Sequence, residues 1–299
     1  MRETRLDATW LRDHPLPPMD EGSDKNERGR ILAVGGAEFV PGALRLTGEA
    51  ALRAGAGKLQ MATVRSAALP LGVLVPEAAM IALPAQDNGE IAASAADLLI
   101  ERALHCDGLI LGPGMSVSPQ TDELVTAVLE GIETPLPIVL DAAALTAARD
   151  LQSVIARHQG HVILTPHHGE MAILAGLTRR EVAADPKLVS QDIAKRFEAV
   201  VMLKGKETIL AGPNGDILLY EGGCVGLATG GSGDVLAGVV GGLAARGVVP
   251  LAAAAWATWV HGRAGRRLES QTGGIGFLAR EILPLIPKIL NDPTGKGEF

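Results

Sequence analysis

Short, nearly continuous runs of Val, Ile and Leu alternate with longer segments of helical period, and this alternation narrows the possible architectures more than any other feature. The runs are Arg30–Gly36, Lys58–Val64, Gly108–Leu111, Pro137–Asp141, His161–Thr165 and Val200–Lys204. A strand that is apolar on both alternating faces must be covered on both, as in a parallel sheet between two helical layers. The segments Ala43–Gly55, Ala93–Leu104, Thr121–Leu129, Ala144–Leu151 and Leu188–Phe197 supply the helices. The expected fold is α/β: a three-layer, doubly wound, mostly parallel sheet with helices on both faces.

The last third departs from the alternation. Glu207–Ala211 and Asp216–Tyr220, joined by Gly212–Gly215, read as an antiparallel hairpin at a sheet edge. Helices follow near Asp234–Arg246, Leu251–Leu268 and Leu278–Leu290, the middle one Ala-rich and expected to be buried. No linker or change of composition separates Arg30 from Leu290, so residues 29–299 read as one domain. Residues 1–28 read as an N-terminal extension that is partly flexible, with the polar stretch Asp20–Arg28 mobile.

A net charge of -7 leaves no basic surplus to neutralise the phosphates of a nucleic acid or an anionic membrane. It does not disfavour a small nucleotide, which needs only local donors. Met1 to Asp20 lacks the basic-then-apolar order of a signal peptide, and Val248–Val260 is too short to span a bilayer. Cys106 and Cys224 fit neither a disulfide framework nor a zinc spacing, and read as small buried hydrophobes. A cytoplasmic location is expected.

In such sheets ligands sit beyond the carboxyl ends of the strands. The polar and glycine residues fall there: Gly35-Gly36, Gly112-Pro113-Gly114, Asp141, Thr165-Pro166-His167 and Lys204-Gly205. The densest signal is Ala228-Thr229-Gly230-Gly231-Ser232-Gly233-Asp234-Val235-Leu236-Ala237-Gly238. Its glycines let successive N–H groups converge, and the helix that follows adds its positive end, so the turn favours an anion. Asp234 stands where the turn meets the helix, placed to take a proton from a substrate hydroxyl. Read locally, the same residues also suit a plain Gly-rich turn with an acid in the first helical turn. A Walker loop is absent, and Gly35-Gly36 lacks the full dinucleotide fingerprint.

The Gly-Ser-Gly-Asp turn resembles the signature of ribokinase-like enzymes, in which the Asp is the catalytic base and the glycines form an anion hole. Further stretches are similar to the NAD(P)H-hydrate dehydratases within that superfamily: Gly29–Gly36, Gly42-Ala43, Ala50–Gly57, Gly112-Pro113-Gly114, Leu140-Asp141-Ala142, Leu164–Met171 and Val201–Gly205. Ala51–Gly57, Thr165–Met171 and Gly230–Gly238, in this order, discriminate far better than the Gly-x-Gly-Asp turn alone.

The resemblance implies dehydration of the S epimer of hydrated NADH or NADPH at the expense of ADP or ATP, with magnesium. AMP or ADP would be released with phosphate. It implies that Asp234 is catalytic, and that Lys204, Gly205, Lys206, Glu207, Thr208, Gly231 and Gly233 bind the nucleotide. Ala43, Gly114, His167 and Asp234 would line the hydrate pocket. Asp141 and Glu170 would serve the metal through water or phosphate. Glu170 could equally orient His167 or act as an early-helix acid, and Asp141 could cap the helix after it. A homotetramer and a separate epimerase in the same pathway also follow from the resemblance.

Two other readings remain at this point. One is a vitamin-pathway kinase of the hydroxyethylthiazole or hydroxymethylpyrimidine type. The other is a decayed relative that only binds nucleotide, motivated by departures from the family pattern. Ala143 replaces a second Asp, and His168 replaces a Pro. Ser23-Asp24-Lys25-Asn26 and Gly36-Ala37-Glu38-Phe39-Val40 replace a Ser-His-Lys-Gly and a Gly-Ser-x-x-Tyr. About twenty-nine residues precede the first apolar run, far fewer than a domain needs, so the chain is expected not to interconvert the hydrate epimers. A mixture of epimers should then disappear in a fast phase and a slow one, and added epimerase should merge them. A single fast phase from this protein alone would refute the expectation.

Overall fold

A computed structural model describes residues 2–18, 22 and 24–294. Among the described residues ten strands form one sheet: β1 (Arg2–Arg5), β2 (Arg30–Val34), β3 (Lys58–Val64), β4 (Ala78–Leu83), β5 (Gly108–Leu111), β6 (Ile138–Leu140), β7 (Val162–Leu164), β8 (Val200–Leu203), β9 (Thr208–Ala211) and β10 (Asp216–Tyr220). Their order is β1-β10-β9-β8-β7-β6-β5-β2-β3-β4, and only β9 runs antiparallel to its neighbours. The mostly parallel, doubly wound sheet expected from the sequence is what the chain forms.

The central strands explain their own composition. Every residue of β5, β6, β7 and β8 is buried, as are Ile31–Val34 of β2. Polar side chains at either alternating position would be desolvated, so the strands are apolar throughout. Their helices fall into two mutually packed groups. Pro41–Arg53, Ser232–Ala245, Pro250–Thr272 and Ile286–Asn291 pack together; Ala96–Ala103, Pro119–Gly131, Ala143–Ala147, His168–Ala175 and Pro186–Phe197 form the other group. Local chemistry sets their starts: Ser118 accepts a hydrogen bond from the Thr121 N–H at 3.1 Å and Pro119 follows it at the first helical position. Among the described residues no helix is long and apolar enough to cross a membrane.

Helix Ser232–Ala245 crosses Pro41–Arg53 so closely that a Cβ at Gly238 would run into the Thr47 carbonyl oxygen. That contact sets how closely the helix behind the Gly231–Asp234 turn approaches Pro41–Arg53. Gly238→Val is expected to force the two helices apart and destabilise the protein by about 1–3 kcal/mol. Thermal unfolding indistinguishable from the parent would show that the helices can separate freely.

The opening residues join the same sheet. β1 pairs parallel with β10, from Arg2 opposite Asp216 to Arg5 opposite Leu219, so the β9–β10 hairpin is one strand short of the edge. Asp7 caps helix Ala8–Asp13, accepting from the Thr9 and Trp10 N–H groups at 2.8 and 3.0 Å. Leu6, Trp10 and Leu11 are buried, and Trp256 Nε1 donates to the His14 carbonyl at 2.8 Å. Of the stretch expected to be mobile, Asp20, Glu21 and Ser23 lie outside the described residues.

Candidate active site

Three adjacent strands deliver three polar residues to one place. Asp141 follows β6, Thr165 follows β7 and Lys204 follows β8. Asp141 is 3% exposed, and its Oδ1 accepts from Thr165 Oγ1 at 2.6 Å and Lys204 Nζ at 2.8 Å. Burial opposes the charge on Lys204, but the carboxylates of Asp141, Glu170 and Asp234 outweigh it and hold the ammonium above its usual pKa. Ala142 takes φ 49° and ψ -125°, a strained conformation for a residue with a Cβ, as the chain turns sharply away behind the carboxylate. Ala143 itself is buried in the core and adds no second carboxylate here.

The Gly-rich turn faces this cluster. Gly231 precedes helix Ser232–Ala245 at φ 89° and carries no capping side chain. The N–H of Ser232 is used by the Thr229 carbonyl at 3.2 Å. Those of Gly233 and Asp234, at the second and third helical positions, have no partner among the described residues, as expected at a helix start. A Cβ at Gly233 would lie 3.6 Å from Lys204 Nζ, so the ammonium sits directly over the turn. Burial, reinforced by the Asp141 charge and opposed by Lys204, raises the Asp234 carboxyl to about 6. A base with that pKa is ionised near neutrality yet still basic enough to accept a proton.

The other expected residues divide. Gly114 follows β5, and a Cβ there would meet Ala43 Cβ at 2.9 Å, so these two form one tight wall of backbone and methyl. A Cβ at Gly231 would meet Leu46 Cδ1 at 2.6 Å, which puts the turn one helical turn beyond Ala43. His167 caps helix His168–Ala175: its Nδ1 accepts from the Gly169 and Glu170 N–H groups, both at 3.0 Å. Glu170 returns the contact by accepting from the His167 N–H at 2.8 Å, and its Oε1 lies 3.6 Å from His167 Nε2. Burial raises the Glu170 pKa, while Lys204 and His167 oppose the rise. Gly205 and Lys206 are exposed in the turn between β8 and β9, with Glu207 and Thr208 half-buried behind them.

Two participants were not singled out from the sequence. Thr165 was visible only as part of a strand end, although its buried hydroxyl braces Asp141. His261 lies in the Ala-rich helix Pro250–Thr272 and contacts Ser232 inside the turn. A polar residue in an apolar, small-residue helix was the available signal. Among the described residues no group of three His, Cys, Asp or Glu could hold a metal unaided. An N–H turn, a fixed ammonium and a raised carboxylate together can hold a phosphoryl group and take a proton from its acceptor.

Residues 31–288 match the family model described as NAD(P)H-hydrate dehydratase. The chain is 43% identical to an ADP-dependent (S)-NAD(P)H-hydrate dehydratase of Xanthomonas campestris, covering 97% of each. A bifunctional NAD(P)H-hydrate repair enzyme of Moorella thermoacetica is 37% identical over 96% of this chain but only 54% of its own length. Among solved structures, the ADP/ATP-dependent NAD(P)H-hydrate dehydratase of Bacillus subtilis co-crystallised with ATP and Mg2+ aligns with a TM-score of 0.82. That alignment covers 96% of this chain and 97% of the other, at 28% identity.

Proposed function

The chain belongs to the NAD(P)H-hydrate dehydratase family, and we propose that it performs the family's reaction at the strand ends around Asp234. That reaction is the nucleotide-dependent dehydration of the S epimer of hydrated NADH or NADPH. The observation that carries the site assignment is the convergence of Lys204 on both Asp141 and the Gly233 turn.

Hydroxide is a poor leaving group, so the ring hydroxyl must first become a better one. Asp234 accepts the hydroxyl proton as the oxygen attacks the terminal phosphorus of ADP or ATP. The P–O bond to AMP or ADP breaks, while Gly233, Asp234 N–H and Lys204 hold the charge of the transferring group. Phosphate then leaves the ring carbon with the C–O electron pair, a neighbouring ring carbon loses a proton, and the double bond of NAD(P)H returns. Lys204–Thr208 and Gly231 flank the nucleotide side; Ala43, Gly114 and His167 flank the hydrate.

Magnesium would neutralise nucleotide phosphate charge. The hard oxygens of Asp141 and Glu170 fit it, because Mg2+ in such sites takes one or two carboxylates with phosphates and water rather than a full protein cage. Both side-chain hydrogen bonds of Asp141 fall on Oδ1, which leaves Oδ2 without a partner among the described residues. ADP is the favoured donor, in line with the Xanthomonas relative. Incubation with hydrate should convert ADP to AMP with one phosphate per NAD(P)H formed. A stable phosphorylated product instead would favour the vitamin-kinase reading. A homotetramer working in the cytoplasm beside a separate epimerase completes the proposal.

The raised carboxyl makes a pH prediction. Asp234 must be ionised to act, so kcat/KM should climb through an apparent pKa of about 6 and fall about tenfold per pH unit below it. A flat profile down to pH 5 would exclude a base of this pKa.

A further inference from the structure

Ser232 stands between Gly231 and Gly233 and is the first residue of the helix that bears Asp234. It is 3% exposed. Two of its atoms are held from a distant element: His261 Nε2 lies 2.8 Å from Ser232 Oγ and 3.1 Å from the Ser232 carbonyl oxygen. A carbonyl can only accept, so Nε2 carries the proton and is shared between the two oxygens. Burial, with the nearby Lys204 charge, drives the His261 pKa down to about 4, so the ring is neutral and its tautomer set.

The clamp has a physical purpose. A turn built from Gly230, Gly231 and Gly233 has more backbone freedom than any other composition. An anion hole works only if its N–H groups need not reorganise when charge develops. Thr229 and Lys204 reach the turn from its own loop and from the sheet. His261 reaches it from helix Pro250–Thr272, whose Ala253, Ala254, Ala255 and Ala257 are fully buried, so the donor is mounted on a rigid base. Because Ser232 Oγ accepts from His261, its own hydroxyl proton stays free for another acceptor.

We propose that His261 is a positioning residue for phosphoryl transfer, which clamps Ser232 and thereby holds the Gly231–Asp234 turn ready for the transferring phosphate. The inference rests on the phosphoryl-transfer reading of that turn. It assigns no contact between His261 and substrate.

The test compares His261→Leu, which removes the donor, with His261→Gln, which can return an N–H near the position of Nε2. Both are assayed with hydrated NADH, ADP and magnesium, beside thermal unfolding. His261→Leu should lower kcat at least tenfold with the hydrate KM changed less than twofold, and His261→Gln should recover most of the loss. An unchanged kcat in His261→Leu would overturn the proposal. So would equal loss in both variants that merely tracks lowered stability. If His261→Leu does not fold, Ser232→Ala removes one of the two acceptors and should still lower kcat severalfold at unchanged hydrate KM; parental kcat there overturns the proposal. Absence of activity in the parent enzyme would instead count against the dehydratase reading, so the two failures are distinct.

Discussion

Asp234→Asn is expected to lower kcat by roughly 10²–10⁴ while making the folded protein more stable above pH 6. The amide keeps the shape of the carboxylate and its place at the third helical position, but cannot accept the substrate proton. The stability gain follows from linkage. The folded-state pKa of about 6 lies above the ordinary 3.8, so folding favours the protonated form. That contribution is present below about pH 4 and is lost as pH rises through 6. At pH 8 the charged carboxylate therefore costs on the order of 3 kcal/mol, part of which asparagine returns. Steady-state kinetics and thermal unfolding at pH 8 and pH 5 check both halves. Activity within a few-fold of the parent would remove Asp234 from the mechanism, and equal unfolding temperatures at pH 8 would deny its strained ionisation.

Lys204→Ala should be the most damaging change to the site as a whole. It removes the cation that, with the Thr165 hydroxyl, donates to Asp141 Oδ1, leaving a carboxylate on a side chain only 4% exposed without its counter-charge. Breaking such a pair costs on the order of 3 kcal/mol of stability. The nucleotide KM should rise more than the hydrate KM, because Nζ lies over the Gly233 turn rather than beside Ala43 and Gly114. The acid limb of kcat/KM should also move to higher pH, since Lys204 is the group that holds the Asp234 pKa down. Equal loss for both ligands with an unmoved acid limb would reduce Lys204 to a structural residue.

The parts of this protein that could be read from its sequence are those where one physical demand acts alone. β3, β5 and β10 match their expected limits because burial or a tight hairpin fixes the pattern. β1 was hidden because an edge strand carries charged residues such as Glu3 and Arg5, which break the apolar signal. β4, Ala-Ala-Met-Ile-Ala-Leu, is small and apolar enough to suit helix or strand, and only its pairing with β3 decides. The expected helix Ala144–Leu151 instead starts at Ala143 and tightens into a 3-10 turn at Ala148–Asp150. Within the candidate site, Asp234 and the glycine turn stand out in the sequence because the glycines and the helix start that follows them are contiguous in the chain. The bracing of Asp141 by Thr165, 24 residues away, and of Ser232 by His261, 29 residues away, depends on tertiary placement that no spacing rule encodes. His167 shows the opposite case: a residue assigned to the hydrate side also caps a helix with its Nδ1, while its Nε2 lies 3.6 Å from Glu170 Oε1.

On the proposed function, the Asp234 cleft uses a nucleotide phosphate to expel water from a hydrated nicotinamide. The direct measurement is to mix the protein with enzymatically hydrated NADH, ADP and magnesium, and to follow reduced-nicotinamide fluorescence beside free phosphate. Fluorescence should return with one phosphate released per NADH, and both signals should rise roughly 10²–10⁴-fold more slowly when Asp234→Asn replaces the parent. Nucleotide binding without any return of fluorescence, or phosphate trapped in a stable phosphorylated hydrate, would contradict the account.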